Sequence, residues 1–227
     1  MTREFRLDGV VPWGREADEY EAFFALADVQ ADARVLDCGG GPASFTAEWC
    51  ARGRNVVAAD PLYTLDEAMI RARFDATRGP MREGMVRAQA HFVWRFYASE
   101  EAVVARRERA LARFSADRAA HPERYVAAAL PTLPFAADSF ELALCSHFLF
   151  LYSAELESEL HVESLRELLR VAREVRVFPL VDIEGDRSRH LAPVLAALRG
   201  EARVECVPVP FEFRRGSTEM LQLRRRE

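Results

Sequence analysis

Four near-continuous apolar runs stand out along the chain and predict buried strands. They are RVLDC (34–38), NVVAAD (55–60), FELALCS (140–146) and EVRVFPLVD (174–182). Unbroken apolar character is typical of parallel strands that are covered on both faces. A helix-like segment, PASFTAEWCARG, separates the first two runs, and a longer one with leucines at helical spacing separates the last two. Strand and helix in alternation predict a doubly wound α/β fold with right-handed crossovers.

The C-terminal part of the chain departs from this alternation. RVECVPVPFEF (203–213) and TEMLQLRR (218–225) are both strand-like, and the RRGS between them leaves no room for a helix. Two neighbouring strands joined by so short a loop must run antiparallel. We therefore predict a C-terminal antiparallel β-hairpin on an otherwise parallel sheet.

The connection from Asp60 to Tyr125 is much longer than a crossover needs. LDEAMIRARFDATRG (65–79) predicts a crossover helix, and residues 85–118 predict one or two more. We interpret residues 64–122 as a cap-like helical insertion after the second strand, within a single domain that spans residues 1–227. Connections that leave the carboxyl ends of strands border the ligand crevice, so we expect the insertion near the mouth of the site.

Three consecutive glycines follow the first strand, in RVLDCGGGPASF (34–45). A dinucleotide fingerprint that starts at Gly39 would need a glycine at position 44, which is Ser44, and no Lys-Ser or Lys-Thr pair follows to complete a P-loop. The acid that holds a ribose about 20 residues further on is present as Asp60. This pattern favours a ligand with a ribose, no phosphate and a charged amino-acid end. Asp37 is placed to hold an ammonium group, directly or through water, and the glycines allow close approach of the backbone.

Residues 35–43, VLDCGGGPA, resemble the first motif of the class I S-adenosylmethionine-dependent methyltransferases, roughly V-L-D-x-G-x-G-x-G, with Ala43 in place of the last glycine. Asp60 matches the acid that closes the second strand of that family. LPFAADSFELALCSH (133–147) resembles the segment that precedes and forms its fourth strand, and the closing hairpin is a further shared feature. The resemblance covers about residues 33–60 and 125–223. It implies a seven-stranded, mostly parallel sheet.

The same resemblance implies S-adenosylmethionine as the cofactor and methyl transfer as the reaction. It assigns the ribose hydroxyls to Asp60 and the methionine end to the surroundings of the first and fourth strands. Family members often carry an acid or amide for the adenine amine at the end of the third strand, but the segment near Ala129 has neither. We therefore expect backbone groups and apolar walls to hold the adenine. The expected cofactor-binding residues in these elements are Asp37, Gly39, Gly40, Gly41, Asp60, Pro61, Leu62, Ala129, Leu130, Cys145 and Ser146.

Three further residues are candidates for the site. His147 directly follows the fourth strand, where family members place groups that face the transferred methyl, and its ordinary pKa of about 6.5 suits a catalytic base. A structural histidine beside the cofactor is the alternative. Residues 1–32 are expected to form a helical extension over the cofactor site, with Trp13 as a wall and Arg15 paired with the methionine carboxylate. Arg15 as a solvated surface charge is the alternative.

The acceptor is expected to be a small molecule that enters between the end of the fourth strand and the insertion. The segment HFVWRFYASEE interleaves aromatics with arginine, which would suit an RNA or DNA acceptor or form the hydrophobic seam of the insertion. An RNA or protein methyltransferase therefore stays an alternative. Two others are a protein that binds S-adenosylmethionine without transferring its methyl group, and a nicotinamide oxidoreductase.

Composition narrows the class of protein only slightly. The net charge of -5 argues against a nucleic-acid footprint over the whole surface. The four cysteines form no CxxC pair and the histidines show no metal-ligand spacing, so no metal site is predicted. The N-terminal stretch lacks an apolar signal core, and no run approaches the roughly 18 apolar residues of a membrane span. We expect a cytoplasmic protein with no membrane contact.

Overall fold

The computed structural model describes residues 11–226, which form a seven-stranded sheet flanked by helices. The order across the sheet is β3-β2-β1-β4-β5-β7-β6. Neighbours among β1 to β5 pair in parallel, and β7 runs antiparallel to both β5 and β6. This arrangement confirms the predicted doubly wound fold and its C-terminal hairpin. The strands are β1 (Arg34–Cys38), β2 (Asn55–Ala59), β3 (Tyr125–Val126), β4 (Phe140–Ser146), β5 (Ala172–Phe178), β6 (Ala202–Pro208) and β7 (Glu219–Arg225).

Helices cover the sheet on both faces and divide the core into two layers. Side chains alternate between the faces of a strand, so Val35 packs into one layer and its neighbour Leu36 into the other. α1 to α4 supply the first layer, and α5 and α6 supply the second. The helices are α1 (Ala17–Phe24), α2 (Phe45–Ala51), α3 (Glu67–Arg87), α4 (Glu100–Ala120), α5 (Ser158–Val171) and α6 (Leu191–Leu198).

The insertion holds a pair of long helices, α3 and α4. Each begins at a side-chain cap: Asp66 accepts a hydrogen bond from the Met69 amide at 2.7 Å, and Ser99 accepts one from the Ala102 amide at 3.2 Å. The predicted end of the first helix at Gly79 is wrong, since α3 continues past Pro80 to Arg87. Pro80 lies on the exposed side of the helix, where water can bond the backbone carbonyl that the proline leaves without a donor.

The aromatic segment 92–97 lies between these helices and is not helical, so the prediction of helix through it is wrong. Its backbone pairs with the loop that joins β6 to β7: the Val93 amide donates to the Phe213 carbonyl at 2.8 Å. Phe92 stacks on the Phe213 ring with centroids 4.7 Å apart. These long-range aromatic contacts outweigh the local helical preference of the segment.

α6 lies in a stretch for which the sequence pattern predicted no element. LAPVLAAL is apolar almost throughout and therefore gives no contrast between a buried and an exposed face. In the structure Leu191, Val194 and Leu198 form its buried stripe. Among the helices of residues 11–226, none combines the length and apolar character needed to cross a bilayer.

Candidate functional site

A pocket lies at the carboxyl ends of β1 and of its two neighbours in the sheet, β2 and β4. The strand order reverses at β1. Open α/β sheets form their ligand crevice at this point, because the loops of neighbouring strands diverge there. Loops after four strands, a stretch before α1 and one residue of α3 line it. The lining residues are Val11, Pro12, Trp13, Arg15, Cys38, Gly39, Gly40, Gly41, Ala59, Asp60, Pro61, Leu62, Arg73, Ala128, Ala129, Leu130, Ser146, His147 and Phe148.

The pocket brings together most of the residues that the sequence analysis named. Two of them do not line it: Asp37, which lies beneath the glycine loop, and Cys145, which is fully buried inside β4. Cys38, the register partner of Cys145 on β1, lines the pocket instead. The remaining predicted residues line it, namely Trp13, Arg15, Gly39, Gly40, Gly41, Asp60, Pro61, Leu62, Ala129, Leu130, Ser146 and His147.

The glycine loop needs its glycines for two separate reasons. Gly39 and Gly41 adopt φ of 73° and 56°, a region that side chains disfavour. A Cβ on Gly40 would lie only 2.3 Å from Oδ2 of Asp37. The loop therefore closes over the Asp37 carboxylate and presents bare backbone to the pocket.

Asp37 is a buried carboxylate held from below by α1. It is 1% exposed, and the Tyr20 hydroxyl donates to its Oδ1 at 3.0 Å and lies 3.2 Å from Oδ2. Burial, which the hydrogen bond from Tyr20 opposes and the charge of Asp60 reinforces, raises the pKa of Asp37 to about 7. Asp37 thus changes its charge near neutral pH.

Asp60 follows β2 and binds the backbone on both sides of the pocket floor. Its Oδ2 accepts a hydrogen bond from the Gly41 amide at 2.9 Å, and its Oδ1 accepts one from the Leu62 amide at 2.7 Å. Burial raises the pKa of Asp60 to about 6, although these two amides favour the charged form. The Tyr63 hydroxyl donates to the Gly41 carbonyl at 2.8 Å and fixes the same loop. Each carboxylate oxygen of Asp60 keeps a further lone pair for a ligand.

Residues 11–16, which we call the strap, cross over the loop that follows β1. The Ser44 amide donates to the Arg15 carbonyl at 3.0 Å. Gly14 lies so close to this loop that an added Cβ would be 1.9 Å from the Pro42 carbonyl oxygen. The strap continues into α1, and residues 1–10 of the predicted extension lie outside the described residues.

Arg15 lines the pocket and makes no direct ion pair with an acid of residues 11–226, although the charge of Glu19 acts on it from a distance. Its Nη1 donates to the Trp13 carbonyl at 3.1 Å, and no carboxylate oxygen of residues 11–226 lies within 4 Å. Burial, together with the charge of Arg107, lowers the pKa of Arg15 to about 10. A guanidinium in this position favours an anionic ligand, because a carboxylate would restore the electrostatic balance.

A buried ion pair anchors the strap and α1 to the insertion. Arg107 on α4 donates to both carboxylate oxygens of Glu19 on α1, at 2.8 and 2.7 Å, and both side chains are almost fully buried. Burial opposes ionisation of Glu19, but the charge and hydrogen bonds of Arg107 lower its pKa to about 2. Tyr97 also donates to Glu19, which ties the aromatic segment to the same point.

His147 lies at the end of β4 in a left-handed conformation, with φ of 51°. Its amide donates to the Phe178 carbonyl at 2.6 Å, and its Nδ1 is 2.9 Å from the Ser146 hydroxyl. Burial lowers the pKa of His147 well below its usual range, and the charges of Arg15 and Arg107 add to the effect. The expectation of an ordinary pKa near 6.5 is therefore wrong, and the imidazole is neutral at pH 7.

Beyond His147 the structure is filled with aromatic rings. Phe23 stacks on Phe178 with centroids 5.0 Å apart, and Phe211 meets both edge-on. All three rings are almost fully buried. These rings therefore fill the core on that side of His147. The acceptor entrance expected between the fourth strand and the insertion stays a prediction.

Arg73 and Phe148 are the main lining residues that sequence reasoning left unassigned. Arg73 lies on α3 between the buried Ile70 and Phe74, so its position at the margin of the buried helix face was the available signal. Phe148 begins the apolar stretch FLFLY, which is typical of core, and its ring packs against Gly39. In both cases the pattern marks a partly buried residue but does not show which cavity it borders.

The chain has a full-length relative of similar sequence. It is 30% identical over 226 residues to the uncharacterized protein MJ0045 of Methanocaldococcus jannaschii, over 98% of this chain and 100% of that protein. No protein-family model matches the chain.

Several crystal structures are similar to the chain at low identity. The 1,6-didemethyltoxoflavin-N1-methyltransferase of Burkholderia thailandensis, with bound S-adenosylhomocysteine, is 14% identical with a TM-score of 0.49, over 90% of this chain and 76% of that one. A TehB-like SAM-dependent methyltransferase of Corynebacterium glutamicum is 14% identical with a TM-score of 0.48, over 88% and 84%. The magnesium protoporphyrin IX methyltransferase of Synechocystis, with bound SAM, is 12% identical with a TM-score of 0.46, over 92% and 78%.

The strand order and the antiparallel β7 agree with the motifs that the sequence carries at the ends of β1, β2 and β4. The chain belongs to the same family as MJ0045, and it has the fold of the class I S-adenosylmethionine-dependent methyltransferases.

Proposed function

We propose that the pocket binds S-adenosylmethionine and that the protein transfers the methyl group of this cofactor to a small-molecule acceptor. The observation that carries the proposal is the combination of the unbalanced Arg15 guanidinium with the acids Asp37 and Asp60 around one glycine loop. A nucleoside with an amino-acid end carries the matching groups: a ribose, an ammonium and a carboxylate. Such a ligand places no phosphate on the glycines.

Each part of the cofactor has a place in this assignment. Asp60 binds the ribose hydroxyls through the lone pairs that its amide contacts leave. Leu62 and the backbone of 128–130 enclose the adenine, and the Arg15 guanidinium pairs with the methionine carboxylate. Asp37 stabilises the ammonium group through its negative charge from beneath Gly40. The pocket also supplies Trp13 as a wall beside the cofactor.

Methyl transfer requires mainly that the acceptor is correctly positioned, since the sulfonium of the cofactor supplies a methyl group that is already activated. The chain holds the acceptor in line with that group and keeps water out, which the strap and the aromatic rings beyond His147 accomplish. The neutral imidazole of His147 is available to accept a hydrogen bond or a proton from the acceptor. Its low pKa makes it a weak base, so we assign it chiefly to orienting the acceptor.

The size of the acceptor follows from the enclosure of the site. Phe23, Phe178 and Phe211 close the region beyond His147, and the strap covers the glycine loop. The aromatics of the insertion pack against the loop between β6 and β7, as a hydrophobic seam does, rather than forming a free row for base stacking. These features favour a small molecule over an RNA or protein acceptor.

Isothermal titration calorimetry with S-adenosylmethionine, S-adenosylhomocysteine and NAD tests the proposal. We expect one S-adenosylhomocysteine per chain and no binding of NAD. Incubation with methyl-labelled S-adenosylmethionine and a small-molecule extract then tests transfer, with label expected in a low-molecular-weight product. Binding of NAD alone would overturn the proposal, and cofactor binding without any labelled product would reduce it to a binding protein.

A further inference from the structure

Arg73 is a second guanidinium on the pocket wall that has no partner. It is half-buried on α3, and no hydrogen bond, ion pair or aromatic contact joins it to residues 11–226. The other arginines of this helix behave differently, because each pairs with a carboxylate: Arg71 with Asp75, Arg78 with Glu108, Arg82 with Glu101 and Arg87 with Glu83. Acids are thus plentiful along α3, and Arg73 is turned away from them toward the pocket.

The charges of the proposed cofactor leave Arg73 unbalanced. S-adenosylmethionine has one carboxylate, and Arg15 on the strap is assigned to it. Its two cationic groups, the ammonium and the sulfonium, are repelled by an arginine; Asp37 is assigned to the ammonium, and Asp60 to the ribose hydroxyls. A filled pocket would therefore still contain one guanidinium that is partly removed from water and faces no negative charge, which is unfavourable.

Arg73 lies near the strap, on the part of the pocket wall that α3 supplies. Its neighbour Phe74 packs against Trp13 with ring centroids 6.5 Å apart. Aromatic rings fill the space beyond His147, whereas α3 belongs to the insertion, beside which the acceptor is expected to enter. Arg73 is the one residue of the insertion, 64–122, that lines the pocket.

We infer that Arg73 binds an anionic group of the methyl acceptor, a carboxylate or a phosphate. Both groups present two oxygens that match the planar fork of a guanidinium. The inference rests on the proposed function and narrows it: the acceptor is a small organic anion. Arg73 determines specificity, and His147, which lines the same pocket at the end of β4, orients the atom that receives the methyl group.

Calorimetric titration of the full chain saturated with S-adenosylhomocysteine tests this role. The probes are benzoate and phenyl phosphate, with benzamide as the neutral match. We expect at least one anion to bind at least about tenfold more tightly than benzamide, and Arg73→Gln to remove this preference. Arg78→Gln on the exposed face of the same helix serves as the control and should retain it.

The outcomes separate the two proposals. If the wild type fails to bind S-adenosylhomocysteine at all, the proposed function fails first. If it binds the nucleoside but shows no preference for either anion, or if Arg73→Gln keeps that preference, the inference about Arg73 is wrong. It is also wrong if Arg73→Gln loses affinity for S-adenosylhomocysteine, because Arg73 would then hold the cofactor. Unchanged nucleoside affinity with lost anion preference supports it.

Discussion

The Tyr20 hydroxyl donates a hydrogen bond to the Asp37 carboxylate, with its oxygen 3.0 Å from Oδ1 and 3.2 Å from Oδ2. This contact joins α1 to the end of β1 directly beneath the glycine loop. It is the one side-chain hydrogen bond recorded for Asp37 within residues 11–226, and it favours the charged form against the effect of burial. Tyr20, which does not line the pocket, therefore controls the charge of Asp37, and the proposed binding of an ammonium group depends on that charge.

Tyr20→Phe should raise the pKa of Asp37 further above about 7, since the hydrogen bond that stabilises the carboxylate is lost. Affinity for S-adenosylhomocysteine should then fall several-fold at pH 7 and partly recover at pH 8, where more of Asp37 is ionised. Titrations across this range give the profile. Tyr125→Phe, which removes a hydroxyl bonded to Asp117 outside the pocket, should leave it unchanged. If the affinities of wild type and of Tyr20→Phe depend on pH in the same way, Tyr20 does not control the charge of Asp37.

Asp37→Asn should stabilise the ligand-free protein while it weakens cofactor binding. Burial raises the pKa of Asp37 from 3.8 to about 7, so the folded protein binds this proton more tightly than the unfolded chain. Wild-type stability should therefore fall as the pH rises through this window. Relative to wild type, the variant should gain about 2–4 kcal/mol at pH 8 and little below pH 4. Urea unfolding at both pH values measures the gain, and an equal effect at both would contradict the assignment.

Glu19→Gln should destabilise the protein by about 3–5 kcal/mol, because it leaves the buried Arg107 guanidinium without its charged partner. Glu108→Gln breaks an exposed pair with Arg78 and should cost less than about 1 kcal/mol. Urea unfolding at pH 7 compares the two. The low pKa of Glu19 also means that wild type loses this contribution only as the pH falls from 4.5 toward about 2. If both variants lose the same free energy of unfolding, the buried pair stabilises the protein no more than the exposed pair does.

Gly14→Ala should loosen the strap, since the new Cβ would lie 1.9 Å from the Pro42 carbonyl oxygen and the backbone must move. We expect lower affinity for S-adenosylhomocysteine together with lower stability. Gly84→Ala is the matched control: nothing lies within 4 Å of its Cβ, and alanine within α3 should add about 0.5–1 kcal/mol. If Gly14→Ala binds the nucleoside as tightly as wild type, the strap does not cover the cofactor.

Much of the fold could be predicted because its signals are local. The runs at 34–38, 55–60 and 140–146 are contiguous, so each identifies a strand by itself, and the hairpin follows from a short loop. The glycine loop and Asp60 were found for the same reason: they directly follow these strands. Functional residues at strand ends are easy to name once the strands are placed.

The rest depends on contacts between distant parts of the chain. The path of 92–97 is set by Phe213 and Phe211, and α3 continues past Pro80 because that turn faces solvent. The role of Arg73 could not be predicted, since it depends on which arginines of α3 find an acid, either on α3 itself or on α4. Likewise, the lowered pKa of His147 comes from its burial, which no local pattern encodes.

In the proposed complex Arg15 binds the methionine carboxylate and Asp60 binds the ribose of the same cofactor molecule. The most direct measurement compares the affinities of Arg15→Gln and Asp60→Asn for S-adenosylhomocysteine and for 5′-methylthioadenosine, which has the same nucleoside but no amino-acid end. Arg15→Gln should weaken only the first ligand, by about tenfold or more, and Asp60→Asn should weaken both. Equal losses of both ligands in Arg15→Gln, or undiminished binding in Asp60→Asn, would contradict the assignment.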